Sequence, residues 1–263
     1  MMKNLSYFLT IVIVFLSSAQ VFALAELDKR PLQAKKITSA ITINGIADDG
    51  SWQLAAWQPI DKLILGEMPS KDDFSGRFKI MWDENQLYLL VEITDDILFD
   101  QHADPLHLYW DDDCLEIFID EDASGGNHQF NYNAFAYHIA LDNQAVDIGK
   151  LLPDGSPNFV LLNDHITSQW RRSESSPHRI IWEVSMRVYD DSFTLAKQQG
   201  SSKNSAQVAL FSGKKMGFML AYCDNDGSKE REHFISSKDI KAVKGSKNLG
   251  YITADVFQKL TLH

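Results

Sequence analysis

A strand-like alternation between Trp110 and Asp120 constrains the fold of this chain more than any other stretch. From Cys114 onward, one set of alternate residues is apolar throughout and can share a buried face: Leu115, Ile117 and Ile119. The other set carries Cys114, Glu116 and Phe118. Alternation with a period of two is typical of a β-strand on the surface of a sheet. The pattern therefore predicts a strand whose Glu116 lies on the face opposite the core, close in sequence to the Trp110 indole.

Comparable runs at short spacing predict about ten strands, with few helical patterns between them. They include residues 37–43, 74–82, 86–94, 128–141, 166–172, 179–188, 216–222 and 252–262. The composition does not shift along the chain, so we expect a single domain over residues 26–263. The predicted fold class is all-β, a jelly-roll or immunoglobulin-like β-sandwich, with polar loop insertions at residues 142–165 and 199–213.

The first 25 residues have the pattern of an export signal. Lys3 provides the positive start, an apolar stretch runs from Leu5 to Leu16, and small residues follow, with Ala23 and Ala25 as cleavage positions. The apolar stretch is short for a membrane span. We expect residues 1–25 to be a signal peptide and residues 26–263 to be exported, to the periplasm or outside the cell. An uncleaved membrane anchor is the alternative.

The net charge excludes several classes of partner. The chain has 25 Lys and Arg against 36 Asp and Glu, and loss of Lys3 with the signal changes the net charge from −11 to −12. Such acidity argues against nucleic acid and against anionic membrane surfaces as partners. It is compatible with a neutral ligand or with cations.

Two cysteines, Cys114 and Cys223, both fall on strand-like runs. An exported protein meets an oxidising compartment, where one disulfide can form if the two strands are near neighbours. Two unpaired, buried cysteines are the alternative, and the sequence leaves both open.

The pairing of Trp110 with Glu116 is typical of a site for sugars. An indole stacks on the apolar face of a pyranose, and a carboxylate beside it accepts hydrogen bonds from hydroxyl groups. The alternative is that Trp110 packs into the core while Asp111, Asp112 and Asp113 form a solvated turn, since Trp is usually mostly buried. The spacing of the residues alone does not decide between the two.

Five segments in order resemble the family-nine carbohydrate-binding modules: residues 41–52, 80–91, 110–120, 180–186 and 219–227. They are similar to the family's "I-D-G-x-x-D-x-x-W" opening, its "W-D-x-x-x-L-Y" hairpin, its "W-x-x-D-x-x-E-I-F-I-D" strand, and its late "E-x-x-I" strand with the strand and turn that follow. The resemblance runs from about Ile41 to Leu262. It implies a jelly-roll-like sandwich that holds a sugar between two aromatic platforms.

Carried onto this chain, the resemblance makes Trp110 one platform and Glu116 the acid beside it. The polar residues of the next strand fall at Asn131 and Asn133, although one is typically Arg in the family. The second platform falls at Ser237, so the chain departs from the family there, and His233, Phe234 or Tyr137 could substitute. The predicted sugar-binding set is Trp110, Glu116, Asn131, Asn133, Asp113, Tyr137 and His233.

The resemblance also implies calcium in a structural role, with no cofactor required for binding. Calcium prefers six to eight oxygen ligands from carboxylates and loop carbonyls. The predicted metal ligands are Asp95, Asp96 and Asp100, with the run from Asp111 to Asp113 as a second candidate. Neither has the spacing of an EF-hand, and acidic loops are commonly only solvated.

The leading hypothesis is an exported carbohydrate-binding protein, acting in breakdown or uptake of a xylan- or glucan-type polysaccharide beside a partner glycanase. We expect binding rather than cleavage, because hydrolysis needs two facing carboxylates and Glu183 is interpreted as a structural acid. One alternative is a glycosidase accessory that is classed with hydrolases by family. Another is a periplasmic haem-binding domain of related fold, with axial ligands drawn from Met216, Met219, His138 and His233.

Overall fold

The computed structural model describes residues 31–196 and 206–263, and these form fourteen strands in two layers. The large sheet contains β3 (Lys62–Leu65), β6 (Cys114–Asp120), β7 (Phe135–Ala140), β8 (Ala145–Gly149), β9 (Asn158–Leu161), β12 (Lys215–Asp224), β13 (His233–Ser236) and β14 (Gln258–Leu262). The small sheet contains β2 (Gln58–Ile60), β4 (Phe74–Trp82), β5 (Leu87–Asp95), β10 (Ile166–Arg172) and β11 (Arg179–Met186). The remaining strand, β1 (Leu32–Lys36), belongs to both sheets.

The β1 strand joins the two sheets because its two ends pair with different partners. Its first residues pair in parallel with β14, as Leu32 does with Leu260. Its last residues pair in parallel with β4, as Lys36 does with Trp82. The other pairings within each sheet are antiparallel.

The main core lies between the two sheets. The predicted inner face of β6 is confirmed, since Leu115, Ile117 and Ile119 are all buried in this core. Aromatic rings bridge the layers: Phe78 of β4 lies 5.8 Å from Phe218 of β12 between ring centroids. Each large apolar side chain buried here contributes about 1.5–3 kcal/mol to the free energy of unfolding. The all-β sandwich predicted from the alternation is therefore the observed fold.

The outer faces of both sheets are also covered. On the large sheet, Phe118 and Met219 are buried beneath Ile240 and Phe257. On the small sheet, a 3₁₀ helix (Gly50–Leu54) places Trp52 over Met81, Tyr88 and Leu90. A residue on an outer face is therefore not automatically exposed, and Glu116, correctly predicted to lie there, is only 2% exposed.

Several predicted boundaries are wrong. The first strand precedes the expected residues 37–43, because after Ile37 the chain turns to bond through Ser39 with Ser51. The predicted strand 128–141 begins only at Phe135, and the expected loop 142–165 contains β8 and β9. The predicted signal peptide and part of the expected loop 199–213 lie outside the described residues. Among the described residues, no helix has the length and apolarity that crossing a membrane requires.

Candidate functional site

A pocket of about 310 Å³ opens on the outer face of the large sheet. Side chains of β6, β7, β8 and β9 contribute to it, together with residues from five loops. Its lining consists of Tyr109, Trp110, Glu116, Gln129, Phe130, His138, Ile148, Pro157, Phe159, Arg231, Asn248 and Tyr251. Aromatic rings thus surround a small number of charged and amide groups, which is the usual composition of a ligand site.

Trp110 forms one wall of the pocket and is only partly buried. Its indole packs on Tyr109, with 5.0 Å between ring centroids, and on Phe159 of β9, with 5.8 Å. The turn just before β6 holds this segment, because the amide of Asp111 donates to the carbonyl of Leu108 (2.8 Å). One side of the indole is therefore supported by other rings, while part of its surface stays open.

Phe130 and Tyr251 line the same pocket and are each partly exposed. Their loops are tied together by His128, whose Nε2 lies 2.8 Å from the carbonyl oxygen of Gly250. Burial lowers the pKa of His128 to about 4, so its neutral ring can donate this bond. A Cβ at Gly250 would lie 2.9 Å from side-chain atoms of both Phe118 and Met219, so a larger residue there would force these side chains to shift.

Glu116 is the buried acid of the pocket, and one of its oxygens is fixed by three donors. Its Oε1 lies 2.8 Å from His138 Nε2, 2.9 Å from Cys223 Sγ and 3.1 Å from Arg231 Nη1. Burial opposes ionisation, but His138 and Arg231 outweigh it, so the pKa of Glu116 is lower than usual. Among the described residues, no group donates to Oε2. The ionised carboxylate thus keeps one oxygen for a ligand.

Arg231 supplies the positive charge of the pocket, from the loop between β12 and β13. Its guanidinium stacks on Phe234 at 4.2 Å and donates from Nη1 to both Glu116 and Cys223. Burial opposes its charge, but Cys223 and Glu116 raise its pKa above the ordinary value. Sequence reasoning missed Arg231, Phe159 and Tyr251, which lie outside the predicted strands. It also missed Phe130, which falls within the predicted strand 128–141 but lies in a loop of the structure. Aromatic residues in polar loops were the available signal.

Of the predicted sugar-binding residues, the structure brings Trp110 and Glu116 together at the pocket. Asn131 and Asn133 lie just after the pocket residues Gln129 and Phe130, outside the lining. Asn133 Nδ2 donates to the carbonyl of Gly125 (2.7 Å), and Asn131 Oδ1 accepts from the amide of Asn133 (2.8 Å). These two side chains shape the turn that precedes β7.

Tyr137 lies on the other side of the sheet and cannot serve as a platform. Glu116 pairs with His138 in the β6–β7 register, so even-numbered residues of β7 share its outer face and Tyr137 faces the core. Tyr137 is fully buried, and its hydroxyl lies 2.7 Å from His165 Nδ1. The expected substitution of Tyr137 for a platform is corrected for this reason.

His233, Phe234, Ser237 and Asp113 are also outside the pocket lining. His233 lies 3.9 Å from Asp73, Phe234 supports Arg231 from beneath, and the Ser237 hydroxyl accepts from the amide of Leu220 (3.0 Å). Asp113 is fully buried and binds the amides of Phe99 and Asn225.

A buried acidic cluster brings Asp113 together with Asp95 and Asp224. One carboxylate oxygen from each lies within 4.8 Å of the others. Burial raises the pKa of Asp95 to about 7, of Asp224 to about 8 and of Asp113 to about 9. The charge of Asp95 adds to the rise at Asp224 and at Asp113, and the charge of Asp224 adds to the rise at Asp113. Among the described residues, nothing donates to Asp95 Oδ1 or to either oxygen of Asp224.

These three carboxylates fit a calcium ion, which prefers oxygen ligands and offsets their mutual repulsion. A second group, Asp73, Asp96 and Asp226, lies nearer the surface. The predicted ligands Asp95 and Asp96 thus fall in two neighbouring groups. Asp100 belongs to neither of the two groups. The stretches around Asp95 and Asp113 are two alternative sites in the prediction from sequence, whereas in the structure these two residues share one cluster.

The residues proposed as haem ligands make other contacts in the structure. Met216 packs in the main core and Met219 in the cluster on the outer face of the large sheet, both fully buried. His138 is bonded to Glu116 and His233 lies beside Asp73.

Glu183 is structural, as expected: Oε2 accepts from the amides of Asn44 (3.0 Å) and Gly45 (3.1 Å), and Oε1 from Trp52 Nε1 (3.0 Å).

Comparisons with known proteins agree with this fold. A family model described as "Carbohydrate family 9 binding domain-like" matches residues 43–263. Two structures of a carbohydrate binding module family 9 from Caldicellulosiruptor kristjanssonii, one in complex with glucose and one with cellotriose, match with a TM-score of 0.59. Their identities are 17% and 16%, and the matches cover 88% and 89% of this chain and 95% and 93% of theirs. At this identity the likeness concerns the fold.

Partial matches to curated proteins are xylanases. Endo-1,4-beta-xylanase A of Thermotoga maritima is 36% identical over 58 residues, which are 22% of this chain and 5% of the xylanase. Endo-1,4-beta-xylanase C of Paenibacillus barcinonensis is 27% identical over 111 residues, 42% of this chain and 9% of the xylanase. The chain therefore spans only a small part of the curated relatives it matches.

Proposed function

Because the chain belongs to the carbohydrate family 9 binding domain-like proteins, we propose that it binds a carbohydrate in the pocket beneath Trp110. The observation that carries the proposal is the Glu116 carboxylate, which is fixed by His138, Cys223 and Arg231 while Oε2 is left for a ligand. A sugar ring stacked on Trp110 would present its hydroxyls to this oxygen and to Arg231. Charge-assisted hydrogen bonds of this kind are stronger than neutral ones.

The second platform of this site is Tyr251 or Phe130 rather than a residue of β13. Both rings line the pocket, and among the described aromatic residues neither is packed against another ring. A ring without an aromatic partner is free to stack on a ligand. The departure at Ser237 therefore moves the platform to a loop and does not remove the site.

The ligand class is a β-linked glucan or xylan, bound at a chain end. The structural neighbours were solved with glucose and cellotriose, and the partial sequence matches are xylanases. A volume of 310 Å³ is at the lower limit of ligand pockets, which suits a few sugar rings rather than a long stretch of polymer. The acidic chain acts beside a glycanase that cleaves the same polymer.

Export is part of this proposal. Residues 1–25 act as the signal, and the protein works in the periplasm or outside the cell, where polysaccharides are met. The mass of the protein recovered from the producing cell tests this, since cleavage after Ala23 or Ala25 gives a defined shorter chain. A full-length mass in the membrane fraction would contradict it.

Isothermal titration with cello-, xylo- and galacto-oligosaccharides tests the binding proposal. Trp110→Ala should weaken binding of the preferred series by about 5- to 150-fold, taking about 1–3 kcal/mol for one stacking platform by analogy with nucleic-acid bases. Trp57→Ala is the matched control, because Trp57 is also partly buried but lies under Arg77 and Lys79 at 4.3 and 4.8 Å. Equal affinity in the Trp110 variant and wild type, or no binding of any series by wild type, would overturn the proposal.

We further propose that calcium stabilises the fold at Asp95, Asp113 and Asp224. Bound calcium would neutralise three buried carboxylates, of which Asp95 and Asp224 have unpartnered oxygens among the described residues. Protons compete for the same groups, since their pKa values are raised to about 7, 9 and 8. Calcium should therefore raise the melting temperature more at pH 8 than at pH 5.

Asp224→Asn should abolish this calcium effect, whereas the exposed Asp154→Asn should keep it. The measurement is the melting temperature with calcium and with a chelator, at both pH values. A calcium response that survives in Asp224→Asn would place the ion elsewhere.

A further inference from the structure

The two cysteines lie directly opposite each other under the pocket. Cys114 of β6 pairs with Cys223 of β12 in the antiparallel register, and both are fully buried. Residues opposed in this way have Cα atoms about 4.5–5.5 Å apart. That separation is within the range of disulfides, about 4.4–6.8 Å. Both side chains lie in the cluster on the outer face of the large sheet, beside Glu116.

The thiols are part of the polar network that holds Glu116. In the structure both cysteines are free, and their Sγ atoms lie within 4.8 Å of each other and of a Glu116 oxygen. Cys223 donates to Glu116 Oε1 (2.9 Å) and accepts from Arg231 Nη1 (2.9 Å). A change in the chemical state of Cys223 therefore acts directly on two residues of the pocket.

A metal ion is a weaker interpretation of the same cluster. Two thiols and a carboxylate are a ligand set for zinc. However, Arg231 Nη1 already contacts both Cys223 Sγ and Glu116 Oε1, so a divalent cation would face a fixed positive charge. The guanidinium therefore already makes the contacts to Cys223 and Glu116 that a metal would need.

We propose that Cys114 and Cys223 form a cross-strand disulfide and that this bond strengthens ligand binding in the pocket above. The inference about affinity rests on the proposed carbohydrate site, and the bond itself rests only on the proposed export. Two thiols release two protons and two electrons as the S–S bond forms. The electrons pass to the disulfide of a thiol–disulfide oxidoreductase of the exporting compartment, which becomes a dithiol. Because both sulfurs are inaccessible once folded, the reaction precedes closure of the β6–β12 pair.

The bond changes the network in a defined way. Cys223 loses the S–H that donates to Glu116, and its sulfur moves towards Cys114 and away from Arg231. His138 and Arg231 still hold Oε1 of Glu116, and with one donor fewer on Oε1 the carboxylate keeps more negative charge for the ligand at Oε2. A thiol is a weak donor, so the effect of losing its bond is small, and the oxidised form should bind about 2- to 5-fold more tightly.

The test compares the full chain exported into an oxidising compartment with the same chain made in a reducing cytosol. Thiols are alkylated in denaturant and counted by mass spectrometry, before and after reduction. We expect no free thiol in the exported protein and two after reduction. Two free thiols in the exported protein, or zinc bound to it in native mass spectrometry, would overturn the disulfide.

Titration of both forms with the preferred oligosaccharide tests the coupling, with Cys114→Ala as the matched control. This variant cannot form the bond but keeps the contact of Cys223 with Glu116, so it should have the affinity of the reduced form in either compartment. Equal affinities of the oxidised and reduced wild type would overturn the coupling. If neither form binds any sugar, the proposed function fails, while the thiol count still decides whether the bond exists.

Discussion

Two buried glutamates, one on the outer face of each sheet, show the difference between a structural acid and a site. Glu183 of the small sheet is fully buried and Glu116 of the large sheet is 2% exposed. Both accept three hydrogen bonds from neighbouring groups. Burial and hydrogen bonding alone therefore do not distinguish them.

The difference lies in how the three donors are distributed. Glu183 uses both oxygens, since Oε2 binds the amides of Asn44 and Gly45 while Oε1 binds Trp52. Glu116 concentrates all three donors on Oε1. One acid thus fastens a loop to a sheet, and the other keeps an oxygen for a ligand at the base of an aromatic pocket.

The two acids also differ in the charge of the groups around them. The donors to Glu183 are neutral, and burial raises its pKa. Glu116 lies beside Arg231 and His138, which lower its pKa despite burial. An acid that is kept ionised, with a free oxygen, is suited to binding hydroxyl groups, whereas Glu183 is suited to fixing geometry.

Glu116→Gln should produce the largest effect and should affect both stability and binding. Removing one partner of a buried charge pair costs about 3–5 kcal/mol, because Arg231 is left without its carboxylate. Loss of a charge-assisted bond to the ligand, about 1.5–3 kcal/mol, should weaken binding by about 10- to 150-fold. Chemical denaturation and titration measure the two effects. If affinity is unchanged, the contrast between the two glutamates is lost.

Glu183→Gln should lower stability and leave binding alone. The amide nitrogen that replaces one oxygen cannot accept a bond, so at least one buried donor loses its partner, at about 1–3 kcal/mol. For a chain of this length that is a fall in melting temperature of about 2–12 °C. Circular dichroism on heating gives the first quantity, and titration below the transition gives the second. A weakened ligand affinity would mean that the Glu183 region communicates with the pocket.

The contrast also shows what the sequence can and cannot predict. Alternation placed Glu116 on the outer face of β6 because side-chain direction in a strand follows parity. Parity alone could not place Tyr137, since the face that it occupies depends on the register with β6, which a single sequence does not contain. Similarity to the family correctly indicated the sandwich.

Most residues of the site that sequence reasoning missed lie in loops, although Phe159 lies on β9. Arg231 reaches Glu116 from 115 positions away in the chain, and no periodic pattern marks its loop. Asp95 ends β5, Asp224 ends β12, and Asp113 directly precedes β6. These three strand ends lie at one place, so the three acids meet there. Such convergence depends on tertiary packing, so the acidic stretches could be noticed separately but not joined.

Trp52→Phe is a milder test of the structural acid. It removes one donor to Glu183 Oε1 and leaves both backbone amides on Oε2. A buried acceptor that loses one bond, together with a smaller ring, should cost about 1–3 kcal/mol in the free energy of unfolding. Denaturant unfolding measures it, and Trp57→Phe, without a bond to Glu183, is the control. A cost equal to that of the control would show that the indole bond contributes little.

The smallest expected effect is on the pH dependence of stability, where the two acids should act with opposite sign. The pKa of Glu116 is lower in the folded state, so its contribution is present above its unfolded pKa and is lost as the pH falls through the folded value. The pKa of Glu183 is raised, so its contribution is present below the unfolded pKa and is lost as the pH rises through the folded value. The free energy of unfolding of each Gln variant, subtracted from wild type between about pH 3 and 6, isolates each slope. Stabilisation by Glu116 should grow with pH across this range, and stabilisation by Glu183 should shrink. Slopes of the same sign would contradict the opposite pKa shifts of the two acids.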